Sequence, residues 1–155
     1  MTMPNNAGSP AGEGFKLIIT RHLRAPREAV FRAWTDPEAL VQWFGPESVT
    51  ARLVSLDPRP GGRYSLEMHG ADGGVYPLSG EYREVSPPSR LVFTWIWGSG
   101  DFAGVETLVT VNLDDINGET RLTLTHERLA NEHALELHNQ GWTSTLGRLE
   151  RLDLS

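Results

Sequence analysis

The stretch from Arg21 to Pro46 constrains the fold more than any other part of the chain. It continues a strand-like run that begins at Phe15, and Pro26 ends that run because proline has no N–H for a sheet but suits the first turn of a helix. Two short helical patterns follow, divided at Asp36, and Gly45-Pro46 ends the second. The pattern predicts a first strand followed by two short helices.

The second helical pattern has a clear start signal. Asp36 is the predicted N-cap and Pro37 the first helical residue, because a short acceptor side chain followed by proline is typical of a helix N-terminus. We expect this helix to carry the apolar residues Leu40, Trp43 and Phe44.

After Pro46 the chain changes to strand-length runs separated by turn residues. The runs are SVTARLVSLDP, RYSLEMHG, VYPLSGEYREVSPP, RLVFTWIWG, GVETLVTVNLDD and ETRLTLTHERL. Asn117-Gly118 between the last two is a strong hairpin signal, and Asp115 and Ile116 are further candidates for that turn. The sequence therefore predicts successive antiparallel hairpins.

From Asn131 to Leu154 the apolar period becomes helical. One side of this predicted helix carries Trp142, Leu146, Leu149 and Leu152. Gly141 and Gly147 lie inside it, where each glycine costs about 1 kcal/mol relative to alanine. They require a packing reason or weaken the prediction of a helix, and a close approach of the helix to the sheet is one such reason.

Length, charge and composition narrow the class of protein. A chain of 155 residues fits one domain, which we assign to residues 15–155, and residues 1–14 have the composition of a disordered tail. The net charge of −6 and the absence of any Lys/Arg run argue against nucleic acid. No segment has the pattern of a secretory signal or a membrane span, and there is no cysteine, so we expect a cytoplasmic protein without a membrane partner.

In this order of elements the sequence resembles the START-like, or helix-grip (SRPBCC), superfamily. It is most similar to the branch related to the C-terminal domain of the activator of Hsp90 ATPase. The segments that carry the resemblance are RHLRAPREAVFRAWTDPEALVQWFGP, DPRPGGRY, GEYREVSPPSRLVFTW and GWTSTLGRLERL. The resemblance implies an α+β helix-grip fold, in which a curved antiparallel sheet of six to seven strands wraps around the long C-terminal helix, with two short helices between strands 1 and 2. It also implies an apolar cavity between sheet and helix.

Strand parity predicts which side chains face that cavity, because alternate residues of a strand share a face. In RLVFTWIW both faces are apolar, and we take the bulkier set, Leu91, Phe93, Trp95 and Trp97, as inward. In VETLVTV, parity selects Val105 together with Thr107, Val109 and Val111. The predicted cavity residues are Trp43, Phe44, Tyr64, Leu66, Met68, Tyr82, Phe93, Trp95, Val109, Leu124, His126, Trp142 and Leu146. The alternative is that these aromatic side chains simply fill a solid core.

No catalytic constellation stands out. There is no Gly-x-Ser-x-Gly elbow, and His133 and His138 would point about 140° apart on a helix, which disfavours a metal site. We therefore expect no metal and no cofactor. His126, Tyr64 and Tyr82 are weak candidates for proton transfer, and a structural core histidine is the alternative for His126.

These observations favour a non-enzymatic carrier or sensor that binds a small hydrophobic or aromatic molecule. One alternative is a cyclase- or aromatase-like enzyme that acts on a polyketide-type substrate. Another is a protein-interaction or stress-response role related to Hsp90 activator domains, although the chain is too short for that activator's additional N-terminal domain. Val92 and Ile96 on the predicted outer face could support a homodimer.

Overall fold

In the computed structural model, which describes residues 14–154, seven strands form one antiparallel sheet. The strands are β1 (Phe15–Leu23), β2 (Val49–Leu56), β3 (Arg63–Gly70), β4 (Val75–Ser86), β5 (Arg90–Trp97), β6 (Glu106–Ile116) and β7 (Glu119–Leu129). The helices are α1 (Arg27–Thr35), α2 (Pro37–Leu40) and α3 (Glu132–Arg151). This arrangement confirms the predicted α+β helix-grip fold. The predicted tail, except for Gly14, lies outside the described residues.

The strand order across the sheet is β1-β7-β6-β5-β4-β3-β2. Strands β2 to β7 therefore pair with their neighbours in the chain, and β1 joins the far side by pairing with β7. Helices α1 and α2 connect the two edge strands, and α3 packs against β1 and β7. The last helix is thus held by the first and last strands of the sheet.

The hairpin between β6 and β7 has a two-residue loop, Asn117-Gly118. Both loop residues have positive φ, 55° and 87°, as a type I′ turn requires. Asp115 and Ile116 are paired with β7 and belong to β6, so only the Asn-Gly part of the predicted turn is correct.

The second helix is shorter than predicted. It ends at Leu40, and Trp43 and Phe44 lie in the turn that follows. Trp43 is fully buried there, and its indole N–H donates a hydrogen bond of 2.9 Å to the Ala33 carbonyl of α1. Asp36 occupies the predicted N-cap position, but its side chain makes no capping hydrogen bond.

The terminal helix begins as expected. Asn131 is its N-cap, and the Asn131 side chain accepts a hydrogen bond of 2.8 Å from the Ala134 N–H. The helix ends at Arg151, three residues before the predicted end. No helix among residues 14–154 combines the length and the apolar composition needed to cross a bilayer.

The parity predictions agree with the burial of the residues inside the strands. They fail where a predicted strand extends beyond the observed one. Val105 precedes β6 and is 37% exposed, so its predicted inward position is wrong: alternation applies only within the extended strand. On the outer face Val92 is only 7% exposed, so this side chain itself offers little apolar surface to a partner. The homodimer stays a prediction.

Candidate functional site

A pocket lies between α3 and the sheet, where β5 runs into the β5–β6 loop. Its volume is about 390 Å³. Its walls come from the turn after α2 and the start of β2, from β3 to β5, from the β5–β6 loop and from one side of α3. Its apolar walls include Phe44, Met68, Trp95, Trp97, Leu137 and Trp142. We call this space the α3 pocket.

The aromatic walls of the α3 pocket contact one another. The ring centroids of Trp95 and Trp142 are 5.1 Å apart, and those of Trp95 and Trp97 are 5.5 Å apart with an edge-on arrangement. Phe44 lies 6.0 Å from Trp95. Each ring is therefore held by its neighbours, and the wall is preformed.

His126 lies behind this wall and is fully buried. Its Nδ1 accepts a hydrogen bond of 2.9 Å from the indole N–H of Trp142, so this nitrogen carries no proton. The Nε2–H therefore donates to the Thr107 hydroxyl at 2.7 Å, and that hydroxyl donates to the Trp95 carbonyl at 3.0 Å. Both ring nitrogens are satisfied only in the neutral state of the ring.

His138 on α3 makes a similar pair of bonds. Its Nδ1–H donates to the Ala134 carbonyl at 2.7 Å, and its Nε2 accepts the indole N–H of Trp97 at 3.1 Å. The rings of His126 and His138 are 4.9 Å apart. Burial lowers the pKa of His126 well below its usual range, and His138 adds to this; burial also lowers the pKa of His138. Both histidines are thus neutral near pH 7.

The fold and this internal arrangement can be compared with known proteins. The family model of the Activator of Hsp90 ATPase homolog 1-like proteins matches residues 24–152. The chain belongs to this family. Among curated protein sequences no relative matches it.

Solved structures of similar proteins agree with the assignment. The AHSA1 protein from Silicibacter pomeroyi is 31% identical, and the match covers 88% of this chain and 95% of that one with a TM-score of 0.79. A protein from Chromobacterium violaceum is 27% identical over 91% of this chain and 99% of its own, with a TM-score of 0.82. A Mycobacterium smegmatis protein is 26% identical, with coverages of 87% and 88% and a TM-score of 0.74.

In this member of the Hsp90-activator-like family, the predicted cavity residues divide into two groups. Phe44, Met68, Trp95 and Trp142 line the α3 pocket. The others are buried elsewhere in the core: Trp43, Tyr64, Leu66, Tyr82, Phe93, Val109, Leu124, His126 and Leu146. Parity identified the inward face of the sheet but could not separate packed from open positions along it.

The candidates for proton transfer do not line the α3 pocket. His126 is enclosed by Trp142 and Thr107, and the Tyr64 hydroxyl donates to the Thr94 carbonyl at 2.6 Å. Burial raises the pKa of Tyr64 and of Tyr82 well above the usual range of a tyrosine. Among residues 14–154, no group of three or more histidine or acidic side chains is placed to hold a metal ion.

Gly141 is a residue of the pocket wall that the sequence did not identify. A Cβ placed on Gly141 would have no heavy atom within 4 Å beyond its chain neighbours and its own helix backbone, and one on Gly147 would meet only the Arg151 guanidinium at 3.6 Å. A close approach of the helix to the sheet therefore explains neither glycine. Gly141 lines the α3 pocket, and the position of its absent side chain is open. In the sequence, the only indication of this part of the pocket wall was a glycine without an explanation inside an amphipathic helix.

One indole N–H of the wall has no partner. Trp95 Nε1 is buried and has no hydrogen-bond acceptor among the described residues, unlike the N–H groups of Trp97 and Trp142. A buried donor without an acceptor costs about 1–3 kcal/mol. Trp95 thus contributes a buried N–H to the wall that the fold leaves unsatisfied.

Arg148 of α3 fixes another part of the wall, the turn after α2. Its Nη1 donates to the carbonyls of Gly45, Pro46 and Val49 at 2.9, 3.2 and 2.9 Å. These three residues line the α3 pocket. The hydroxyl of Ser144 adds a bond of 2.8 Å from the Glu47 N–H, so the turn is tied to α3 at several points.

Proposed function

We propose that the protein binds a small hydrophobic or aromatic molecule in the α3 pocket and acts as a non-enzymatic carrier or sensor. A volume of about 390 Å³ falls in the range of roughly 300–1,000 Å³ that ligand sites occupy. The walls are mainly aromatic, and such walls bury a flat apolar molecule well. Family membership supports a START-like ligand-binding domain.

The observation that carries this proposal is the open space at Gly141. A protein core is normally packed without voids, and a helix interior favours alanine over glycine by about 1 kcal/mol. Here the chain keeps a glycine in the wall of an aromatic pocket, at a position where a Cβ would meet no neighbouring atom. A ligand that fills this space gives the glycine a function.

The test uses the neutral fluorophore N-phenyl-1-naphthylamine, whose emission rises in an apolar site. We expect saturable binding to the wild type and at least tenfold weaker binding to Gly141→Leu, because leucine fills the space at this wall. Gly147→Leu is the matched control on the same helix, away from the α3 pocket, and it should bind like the wild type. Circular dichroism melts establish that both variants fold. Equal binding by all three proteins would exclude the α3 pocket as the site.

Native mass spectrometry of gently purified protein provides a second test. A carrier purified without detergent should bring a low-molecular-mass ligand with it, and addition of N-phenyl-1-naphthylamine should displace that ligand. Retention of the same ligand by Gly141→Leu would place it outside the α3 pocket.

The positions of the proton-transfer candidates support binding over catalysis. A cyclase-like reaction needs an acid or base within reach of the substrate, and His126, Tyr64 and Tyr82 are not among the residues that line the α3 pocket. The absence of cysteine supports the cytoplasm as the proposed compartment.

A role with a chaperone partner is the second candidate, because the family description names the activator of the Hsp90 ATPase. It predicts that the purified chain raises the ATPase rate of an Hsp90 from the same source. An unchanged rate, together with no chaperone recovered in a pull-down, excludes this role.

A further inference from the structure

The residues that line the α3 pocket carry almost no charge. Asp101, in the exposed β5–β6 loop, is the one acidic residue among them, and none of the lining residues described is lysine or arginine. His138 also lines the pocket, but its two ring nitrogens are bonded to Ala134 and Trp97 as in a neutral ring. The pocket therefore has an acidic side chain in its loop wall and no cation to balance an anionic ligand.

The arginines of α3, and Arg21 of β1, already have partners. The Arg148 guanidinium lies behind the pocket wall and donates to three backbone carbonyls there. Arg151 pairs with Glu47, and Arg21 lies 3.9 Å from Glu150. None of the three lines the pocket, so a bound anion would have to break an existing interaction to obtain a cationic partner.

Few buried polar groups of the wall are free to bind an anion: the Trp95 N–H has no acceptor among residues 14–154, but it is enclosed and not exposed to the pocket. The N–H groups of Trp97 and Trp142 donate to histidines, and the Thr145 hydroxyl donates to the Gly141 carbonyl at 2.7 Å. An anion that leaves water without new donors loses its hydration and gains little in return. The aromatic faces add to this, because their negative quadrupole repels anions and attracts cations.

We propose that the α3 pocket selects uncharged or cationic aromatic molecules and rejects anionic ones, with Asp101 contributing to the selection. This inference rests on the proposed ligand-binding function and specifies the chemical class of the ligand. Carboxylated and phosphorylated aromatic metabolites are then excluded as ligands.

The experiment compares two fluorophores with the same aromatic scaffold. N-Phenyl-1-naphthylamine is neutral, and 1-anilinonaphthalene-8-sulfonate adds one negative charge. Binding in the pocket is defined as the binding that Gly141→Leu removes. For this binding, we expect the dissociation constant of the sulfonate to be at least tenfold higher than that of the neutral probe. Asp101→Asn should reduce the ratio of the two dissociation constants about two- to fivefold. Asp114→Asn, which changes the same charge in the distant part of β6, should leave the ratio unchanged.

The outcomes separate the two proposals. If Gly141→Leu weakens the binding of neither probe, the proposed ligand-binding function itself is wrong. If both bind there with equal affinity, the pocket exists as a ligand site and the selection against anions is wrong. If Asp101→Asn and Asp114→Asn have the same effect on the ratio, Asp101 has no part in the selection.

Discussion

The Trp142 indole N–H donates a hydrogen bond of 2.9 Å to Nδ1 of His126, and this bond joins the terminal helix to the last strand inside the core. The second ring nitrogen of His126 is bonded to Thr107 of β6. One buried histidine therefore connects three elements, and its environment is that of a structural residue. The bond also fixes the orientation of Trp142, one wall of the α3 pocket.

Replacing Trp142 by phenylalanine should destabilise the protein more than the same change at Trp95. Both variants lose an indole of equal size, but Trp142→Phe leaves the buried Nδ1 of His126 without a donor, whereas Trp95→Phe removes an N–H that has no acceptor. We expect Trp142→Phe to be less stable by about 1–3 kcal/mol in urea unfolding. Equal stabilities would mean that the bond between Trp142 and His126 contributes nothing.

The stability of the fold should decrease below pH 6.5. Burial lowers the pKa of His126 and His138 in the folded state below the ordinary value of 6.5 that they regain on unfolding. At lower pH the unfolded chain therefore binds more protons than the folded one, and stability falls by up to about 1.4 kcal/mol per pH unit for each histidine. Above pH 7 both states are neutral at these residues and the effect vanishes.

Urea unfolding at pH 7.5, 6.5 and 5.5 measures this dependence. His138→Gln should reduce the slope, because glutamine does not titrate, and the exposed His133→Gln should leave it unchanged. A slope that persists in full in His138→Gln would assign the pH dependence to other groups.

Gly141→Ala should stabilise the protein by up to about 1 kcal/mol, because alanine favours the helix and its methyl group meets no other side chain. Gly80→Ala is a contrasting substitution, since a Cβ on Gly80 would collide with the Thr94 carbonyl. We expect it to destabilise by about 1–3 kcal/mol through overpacking. Thermal melts of the two variants distinguish these effects, and a loss of stability in Gly141→Ala would contradict the open space at that position.

Arg148→Met should cost about 1.5–3 kcal/mol, because it removes charged hydrogen bonds to the carbonyls of Gly45 and Val49. It should also weaken N-phenyl-1-naphthylamine binding, since the turn after α2 is part of the pocket wall. Arg151→Met is the control: its pair with Glu47 is exposed, and such pairs contribute only about 0–1 kcal/mol. Similar losses in both variants would argue against a specific role of Arg148.

Much of the fold could be predicted because its signals are local. Pro26 and Gly45-Pro46 mark where elements change, and Asn117-Gly118 identifies the last hairpin through backbone conformations that few other residue pairs adopt. The errors lie at element ends: α2 ends at Leu40 because Trp43 is drawn into the core against α1, a contact that the helical period does not reveal.

The candidate site was predicted less completely. Alternation along β3 and β7, and side-chain size in β5, identified the inward face. His126 and Trp95 share that face but have different environments: His126 is enclosed by partners and Trp95 lines an opening. The missed walls include the β5–β6 loop and His138, which lie in segments without strand parity.

The sequence by itself determined the family, the order of the elements and the side of each strand that is buried, because turn chemistry and side-chain periodicity act between residues close in the chain. Only the tertiary structure decided where the buried face is solid and where it is open. That depends on how far α3 lies from the sheet, and the distance is set by contacts between residues remote in sequence. Two neighbouring residues of α3 illustrate the difference. Trp142 is bonded to His126 in the solid part of the core, and Gly141 lies beside open space.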